Sequence, residues 1–171
     1  GAQVFNQVVP NAFGLMLPER RPRIVHQSGR AQLESLQANY RNAAVDAETV
    51  PFIEDMATAY RDADLVIARA GAMTVSEIAC AGVASILVPY PHAVDDHQTG
   101  NARFLSESGA AFLIPQSELT PSGLASLISQ LRRPALAVMA GKARTLGKRD
   151  AAQVVADACE TVARPARADG A

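Results

Sequence analysis

The run Arg69-Ala70-Gly71-Ala72-Met73-Thr74-Val75-Ser76-Glu77 brings together residue types that can seat an anionic ligand. It follows a continuous apolar stretch, Leu65-Val66-Ile67-Ala68, and leads into text of helical character. Gly71 has no Cβ, so backbone N–H groups can come close to a ligand there. A helix starting just after it offers unpaired N–H donors and a positive dipole end, a natural seat for a diphosphate. Glu77, in the first turns of that helix, carries a carboxylate able to accept hydrogen bonds from the two hydroxyls of a ribose. The same text has a purely structural meaning. Thr74-Val75-Ser76-Glu77 has the spacing of a capping box, in which the glutamate reaches back to the N-cap amide, and on spacing alone this reading takes precedence.

Other polar groups point less clearly to chemistry. His26 sits in strand text and His92 in a loop, and both are read as structural or pocket-shaping rather than as general bases. Asp95 and Asp96 are adjacent, and two neighbouring carboxylates do not make a metal cage, so no metal site is expected. Cys80 and Cys159 lie far apart with no CxxC partner, which argues against structural zinc. They are expected to be small buried thiols. Lys142, Arg144, Lys148 and Arg149 form a basic stretch on a late helix, expected to be a solvated face.

The elements that must position these groups alternate along the chain. Helical periodicity marks Val4 to Leu17 and Ala31 to Ala44, followed by Asp55 to Arg61, Met73 to Cys80 and Gln98 to Glu107. Three more helices, Thr120 to Leu131, Ala135 to Leu146 and Ala151 to Val162, close the chain. Strands are predicted at Arg23 to Gln27, Thr49 to Ile53, Asp64 to Ala68, Ala84 to Val88 and Ala110 to Ile114. Pro51 suggests an edge or a pairing defect in the second of these. Asp64 to Ala68 reads as a strand buried on both faces. Alternation of this kind implies right-handed βαβ crossovers and an α/β fold, a Rossmann-like doubly wound parallel sheet with several late helices. In such sheets ligands sit beyond the carboxyl ends of the strands. Those ends carry Ser28-Gly29, Ile53-Glu54-Asp55, Arg69 to Met73 and Pro89 to Asp96.

Composition narrows the function classes. The 171 residues suit one domain, which can bury a core without disulfides or metals. Lys and Arg number 16 against 17 Asp and Glu, and Trp is absent. This balance argues against a dedicated nucleic-acid binder, and the scarcity of aromatics argues against a base-stacking platform. No run of apolar residues is long enough for a transmembrane helix, and the apolar start lacks the basic leader of a signal peptide.

Arg69 to Glu77, with Ala81-Gly82-Val83 and Val88-Pro89 after it, resembles the signature of the MurG family, GT-B glycosyltransferases of family 28. Relatives within that two-domain fold usually carry His where Arg69 stands. Further matching text lies at Gly1 to Asn6, His26-Gln27-Ser28-Gly29, Phe52-Ile53-Glu54-Asp55-Met56 and Asp95 to Ala102, in the family's order. The resemblance implies a carboxy-terminal donor-binding domain over residues 1–163, one half of a GT-B enzyme. It places the first strand of that half upstream of Gly1, and residues 164–171 are expected to be a disordered tail.

The donor implied is UDP-GlcNAc, with no tightly bound cofactor. The acceptor is lipid I, undecaprenyl-pyrophosphoryl-MurNAc-pentapeptide, attacked through its C4 hydroxyl with inversion in peptidoglycan synthesis at the cytoplasmic face of the inner membrane. Catalytic residues are expected in an amino-terminal domain that this sequence does not contain. By the same resemblance, the backbone of Ile53 meets the uracil, and Ala72, Met73, Thr74, Val75 and Ser76 line the nucleotide. Glu77 holds the ribose hydroxyls and Gln98 the sugar. Asn6, Phe52, Met56, Arg69, Gly71, His97 and Asn101 are further candidates. Two alternatives stay open: another GT-B UDP-sugar enzyme, such as an epimerase, or a non-catalytic nucleotide-binding or interaction module.

Overall fold

The computed structural model describes residues 2–91 and 96–163. In chain order its elements are α1 (Gln3–Gly14), β1 (Val25–Gln27), α2 (Leu33–Asn42), β2 (Glu48–Val50), α3 (Met56–Asp62), β3 (Leu65–Ala68), α4 (Ala72–Ala81), β4 (Ala84–Leu87), α5 (His97–Ser106), β5 (Ala111–Leu113), α6 (Pro121–Gln130), α7 (Arg133–Leu146) and α8 (Ala151–Ala163). Every strand pairing is parallel. β1 pairs with β2, and β3, β4 and β5 form a second set with β4 in the middle.

The apolar runs become strands because helices cover them on both faces. Along β4 and just past it, Ile86 and Val88 enter one core with Phe5, Val9 and Phe13 of α1, Leu36 of α2 and Leu124 of α6. Leu87, between them, enters the other core with Val75 and Ile78 of α4, Leu105 of α5 and Ala143 of α7. That alternation is the period-two pleat of a strand with a helical layer on each side. Ile78, Ile86, Leu87, Leu105 and Leu124 are fully buried. Each contributes about 1.5–3 kcal/mol of apolar burial.

Several sequence expectations need correction. β3 is half-buried along its whole length rather than enclosed, because it lies at one edge of its hydrogen-bonded set while β4 takes the centre. Pro51 falls just outside β2, and its carbonyl accepts from Gly29 N–H at 3.1 Å, so the missing N–H ends the strand instead of disturbing it. Cys159 is exposed and Cys80 only half-buried. The cause for Cys159 is that α8 buries none of its residues. The predicted solvated basic face holds in part: Arg149 Nε and Nη2 donate to the Cys80 carbonyl at 3.2 and 2.8 Å, satisfying an orphan acceptor near the end of α4. No described helix is long and apolar enough to cross a membrane.

Candidate functional site

The carboxyl ends of the five parallel strands carry the turns in which the sequence concentrates its polar and glycine residues. The first is Ser28-Gly29, where Gly29 takes φ +81°, a left-handed conformation that favours glycine. It sits beside the end of β2, with Ser28 N–H donating to the Val50 carbonyl at 3.0 Å. Next to it, Gln27 Oε1 accepts the N–H of Ile53 at 2.9 Å. This bond orients the Pro51–Asp55 turn from the neighbouring strand. No described residue donates to the Ile53 carbonyl. Asp55 caps α3, accepting from Thr58 N–H at 2.9 Å, and the Thr58 hydroxyl, then this N–H, hold its carboxyl below the usual range. Phe52 is 62% exposed and so is not the core residue its apolar character suggests. Met56 packs at the fringe of the α4–α5–α7 core.

α4 begins earlier than a capping box requires. Its N-cap is Gly71 at φ −62° and ψ 147°, with no side-chain cap, so Thr74 is already inside the helix and Glu77 does not reach back to it. The capping-box reading is therefore wrong. The first-turn N–H groups of Ala72, Met73 and Thr74 are left without intrahelical partners, and the first intrahelical bond is Val75 N–H to the Gly71 carbonyl at 2.9 Å. Val75 itself is 4% exposed and packs in the core, so it offers no group to a ligand. Ser76 and Glu77 are exposed. Glu77 Oε2 instead accepts from Tyr60 Oη at 3.1 Å. Burial, and then this bond, push the Tyr60 phenol up to about 12. Tyr60 thereby stays a donor and tethers the carboxylate from the neighbouring helix α3.

Arg69, at the end of β3, points into a cage of protein atoms. Nη1 donates to the carbonyls of Val88 and Pro89 at 3.2 and 3.0 Å, and Nη2 donates to Gln116 Oε1 at 2.6 Å. The guanidinium lies 5.2 Å from the Phe5 ring centre and 5.4 Å from that of Tyr90. Its Nε is buried and unpartnered among the described residues, and burial lowers its pKa.

The remaining candidates divide in the same way. Gln98, at the start of α5, accepts from Tyr90 N–H at 3.0 Å through Oε1, and His97 beside it is exposed. Asn101 donates to the Ala70 carbonyl at 3.0 Å, tying α5 to the turn before α4. Asn6 is 4% exposed, and its carbonyl accepts from Asn39 Nδ2 at 2.8 Å, which places it between α1 and α2. Asp96 takes φ 51°, a region Asp tolerates, and accepts from the Thr99 hydroxyl at 2.6 Å. His92 and Asp95 lie outside the described residues. Among the described residues no three metal-ligating side chains gather. Sequence reasoning missed Tyr60 as a partner of Glu77 and Gln27 as the partner of Ile53. Gln27 stood inside a quoted motif, but its contact spans 26 residues.

His26 is not a base poised for catalysis. Its Nδ1 sits 2.9 Å from Tyr40 Oη in an edge-on ring contact, and burial lowers its pKa to about 4. The folded state thus holds it neutral, while the unfolded chain binds a proton below about pH 6.5. Stability from this site is complete above about pH 6.5 and is lost as pH falls toward 4, by at most about 3 kcal/mol. Denaturant unfolding at pH 7.5 and 4.5 should show a smaller acid-induced loss for His26→Gln than for the parent chain. Equal losses would remove His26 from the account.

An uncapped helix start, a tethered carboxylate and open backbone groups line one edge of a doubly wound parallel sheet. This is the arrangement of Rossmann-like nucleotide-binding domains. Comparison with known proteins makes the class specific: residues 1–155 match the glycosyltransferase family 28 C-terminal domain, and the chain belongs to that family. It is 57% identical over 164 residues to the UDP-N-acetylglucosamine--N-acetylmuramyl-(pentapeptide) pyrophosphoryl-undecaprenol N-acetylglucosamine transferase of Cupriavidus pinatubonensis, covering 96% of this chain and 46% of that protein. The same identity and coverage hold for the enzyme of that name from Dechloromonas aromatica. The crystal structure of Acinetobacter baumannii MurG superposes with a TM-score of 0.87 at 47% identity, covering 94% of this chain and 47% of that one. The glycosyltransferase VinC, at 16% identity and a TM-score of 0.65, shares the fold. The chain spans about half the length of the curated relatives it matches.

Proposed function

We propose that residues 1–163 form the UDP-GlcNAc-binding domain of an enzyme that transfers N-acetylglucosamine to the C4 hydroxyl of undecaprenyl-pyrophosphoryl-MurNAc-pentapeptide, a step of peptidoglycan synthesis. The observation that carries this reading is the pairing of an uncapped α4 start with the Glu77 carboxylate held by Tyr60 at 3.1 Å. The relatives' names supply the donor and acceptor. In this reading the Ile53 carbonyl accepts from the uracil N3–H and Glu77 accepts from the ribose hydroxyls. The N–H groups of Ala72, Met73 and Thr74 face the diphosphate, and Gln98 meets the sugar.

The acceptor hydroxyl attacks the anomeric carbon as the bond to UDP breaks, with inversion. The acceptor proton passes to a base in the amino-terminal half, and the bonding electrons leave with UDP. The α4 donors stabilise the charge that develops on the leaving diphosphate, an electrostatic contribution that needs no reorganisation. Acceptor binding and docking to the cytoplasmic face of the inner membrane belong to the whole protein, which thereby serves wall growth, cell shape and division.

Transfer of radiolabelled GlcNAc to a lipid I analogue tests the division of labour. The chain alone is expected to transfer nothing, and the chain joined to the amino-terminal half of a relative is expected to transfer. Transfer by the chain alone would contradict the two-part site. Binding of UDP-GlcNAc with no transfer by the joined protein would favour a binding module.

A further inference from the structure

Arg69 is wired into the protein in a way that the charge of a donor diphosphate does not explain. The two groups that its Nη1 holds, the carbonyls of Val88 and Pro89, lead directly into Tyr90. The Tyr90 ring lies against the guanidinium, and the Tyr90 N–H donates to Gln98 Oε1 at 3.0 Å. The other edge of the guanidinium holds Gln116 at 2.6 Å, beyond β5. Pro89 and Gln116 also line one cleft with Thr99 of α5 and Leu113 of β5. One planar fork thus joins the ends of β3 and β4 to the turn after β5, and α1 contributes the Phe5 ring on the same cation. Only arginine has the donors to satisfy two carbonyls on one edge and an amide on the other while lying against aromatic rings. A lysine ammonium, a point donor on a flexible stem, cannot span both edges.

We infer that Arg69 is a positioning residue for the sugar end of the donor, holding the Pro89–Tyr90 segment and through it Gln98, and that it does not act by contacting the diphosphate. The inference rests on the donor reading above. It assigns the arginine a specificity role exerted through Tyr90 and Gln98, because both of its Nη groups donate to neutral protein acceptors.

The test is calorimetric titration of the full 171-residue chain with two probes, UDP and UDP-GlcNAc, for the parent, Arg69→Met and Arg69→Lys. The readout is the preference, Kd for UDP divided by Kd for UDP-GlcNAc. Both variants are expected to bind UDP within about twofold of the parent and to lose preference by about fivefold, the worth of roughly one hydrogen bond. Lysine should not rescue, because geometry rather than charge is lost. Gln98→Ala should show the same drop, and Arg69→Met combined with Gln98→Ala should show no further drop. Gln116→Leu removes only the far acceptor and is expected to lower the preference by about twofold, so the inference stays testable if Arg69→Met does not fold. UDP affinity that falls in Arg69→Met and returns in Arg69→Lys would overturn the inference in favour of a direct charge effect. An unchanged preference in all variants would overturn it outright. A parent chain that binds neither probe would overturn the donor reading and this role with it.

Discussion

Replacing Glu77 with Ala is expected to weaken UDP binding by about a hundredfold, and with Gln by about tenfold. A carboxylate accepting from hydroxyls contributes about 1.5–3 kcal/mol per bond, and each 1.4 kcal/mol is a decade in Kd. Gln keeps one acceptor oxygen and so retains part of the interaction. The fold should barely register either change. Glu77 is exposed, it does not cap α4, and Tyr60 donates to it. A surface change of this kind costs about 0.5 kcal/mol or less. The sharper readout uses 2′-deoxy-UDP: the parent should prefer UDP, and Glu77→Ala should bind the two alike. A falling melting temperature with unchanged affinity would leave Glu77 as nothing more than the partner of Tyr60.

Gly71→Ala should separate folding from binding in the same way. At Gly71 φ is −62°, which any residue adopts, and an added Cβ would meet nothing closer than Thr74 Oγ1 at 3.9 Å. Moving from Gly to Ala at an N-cap costs less than about 1 kcal/mol, and the stiffer unfolded chain returns about 0.4–1 kcal/mol. The melting temperature should therefore move by no more than about 2–4 °C. The fold itself does not require glycine here, so a loss of affinity on substitution would report on the ligand. In the proposed donor pose, a methyl group at the start of α4 would stand where phosphate oxygens approach the first-turn N–H groups, and UDP affinity should fall by about tenfold or more. The contrast is Gly147, whose added Cβ would lie 2.7 Å from the Ala79 carbonyl oxygen. That glycine is required by packing between α7 and α4. Unchanged UDP affinity in Gly71→Ala would move the phosphate seat away from this turn.

The alternation of apolar runs was enough to read the layered α/β fold, since each run flanked by helical periodicity became a strand or lay within two residues of one. Strand ends were less legible. Val88 and Ile114 continue the hydrogen bonding, through N–H to Ala68 and Leu87 carbonyls at 2.9 Å each, without counting as strand. The turn at Gly71 was legible as the break between strand and helix, but the position of the helix start was not. Thr74 and Glu77 keep the capping-box spacing whether the helix starts before or after Thr74, and only the backbone at Gly71 decides. The wiring around the site was not legible at all. Arg69 and Gln116 are 47 positions apart, and local pattern carries no information about such pairs. The same holds for Tyr60 with Glu77 and Gln27 with Ile53. Cys159 misled because an alanine-rich helix resembles core text, while α8 packs none of its residues.

If this edge of the sheet recognises UDP-GlcNAc, titrating the chain with UDP-GlcNAc, UDP-glucose and ADP under one set of conditions will show it. Measurable binding of UDP-GlcNAc, weaker binding of UDP-glucose and none of ADP are expected, since adenine cannot offer the N3–H that the Ile53 carbonyl would accept. Equal affinity for ADP, or no heat with any of the three, would contradict that recognition.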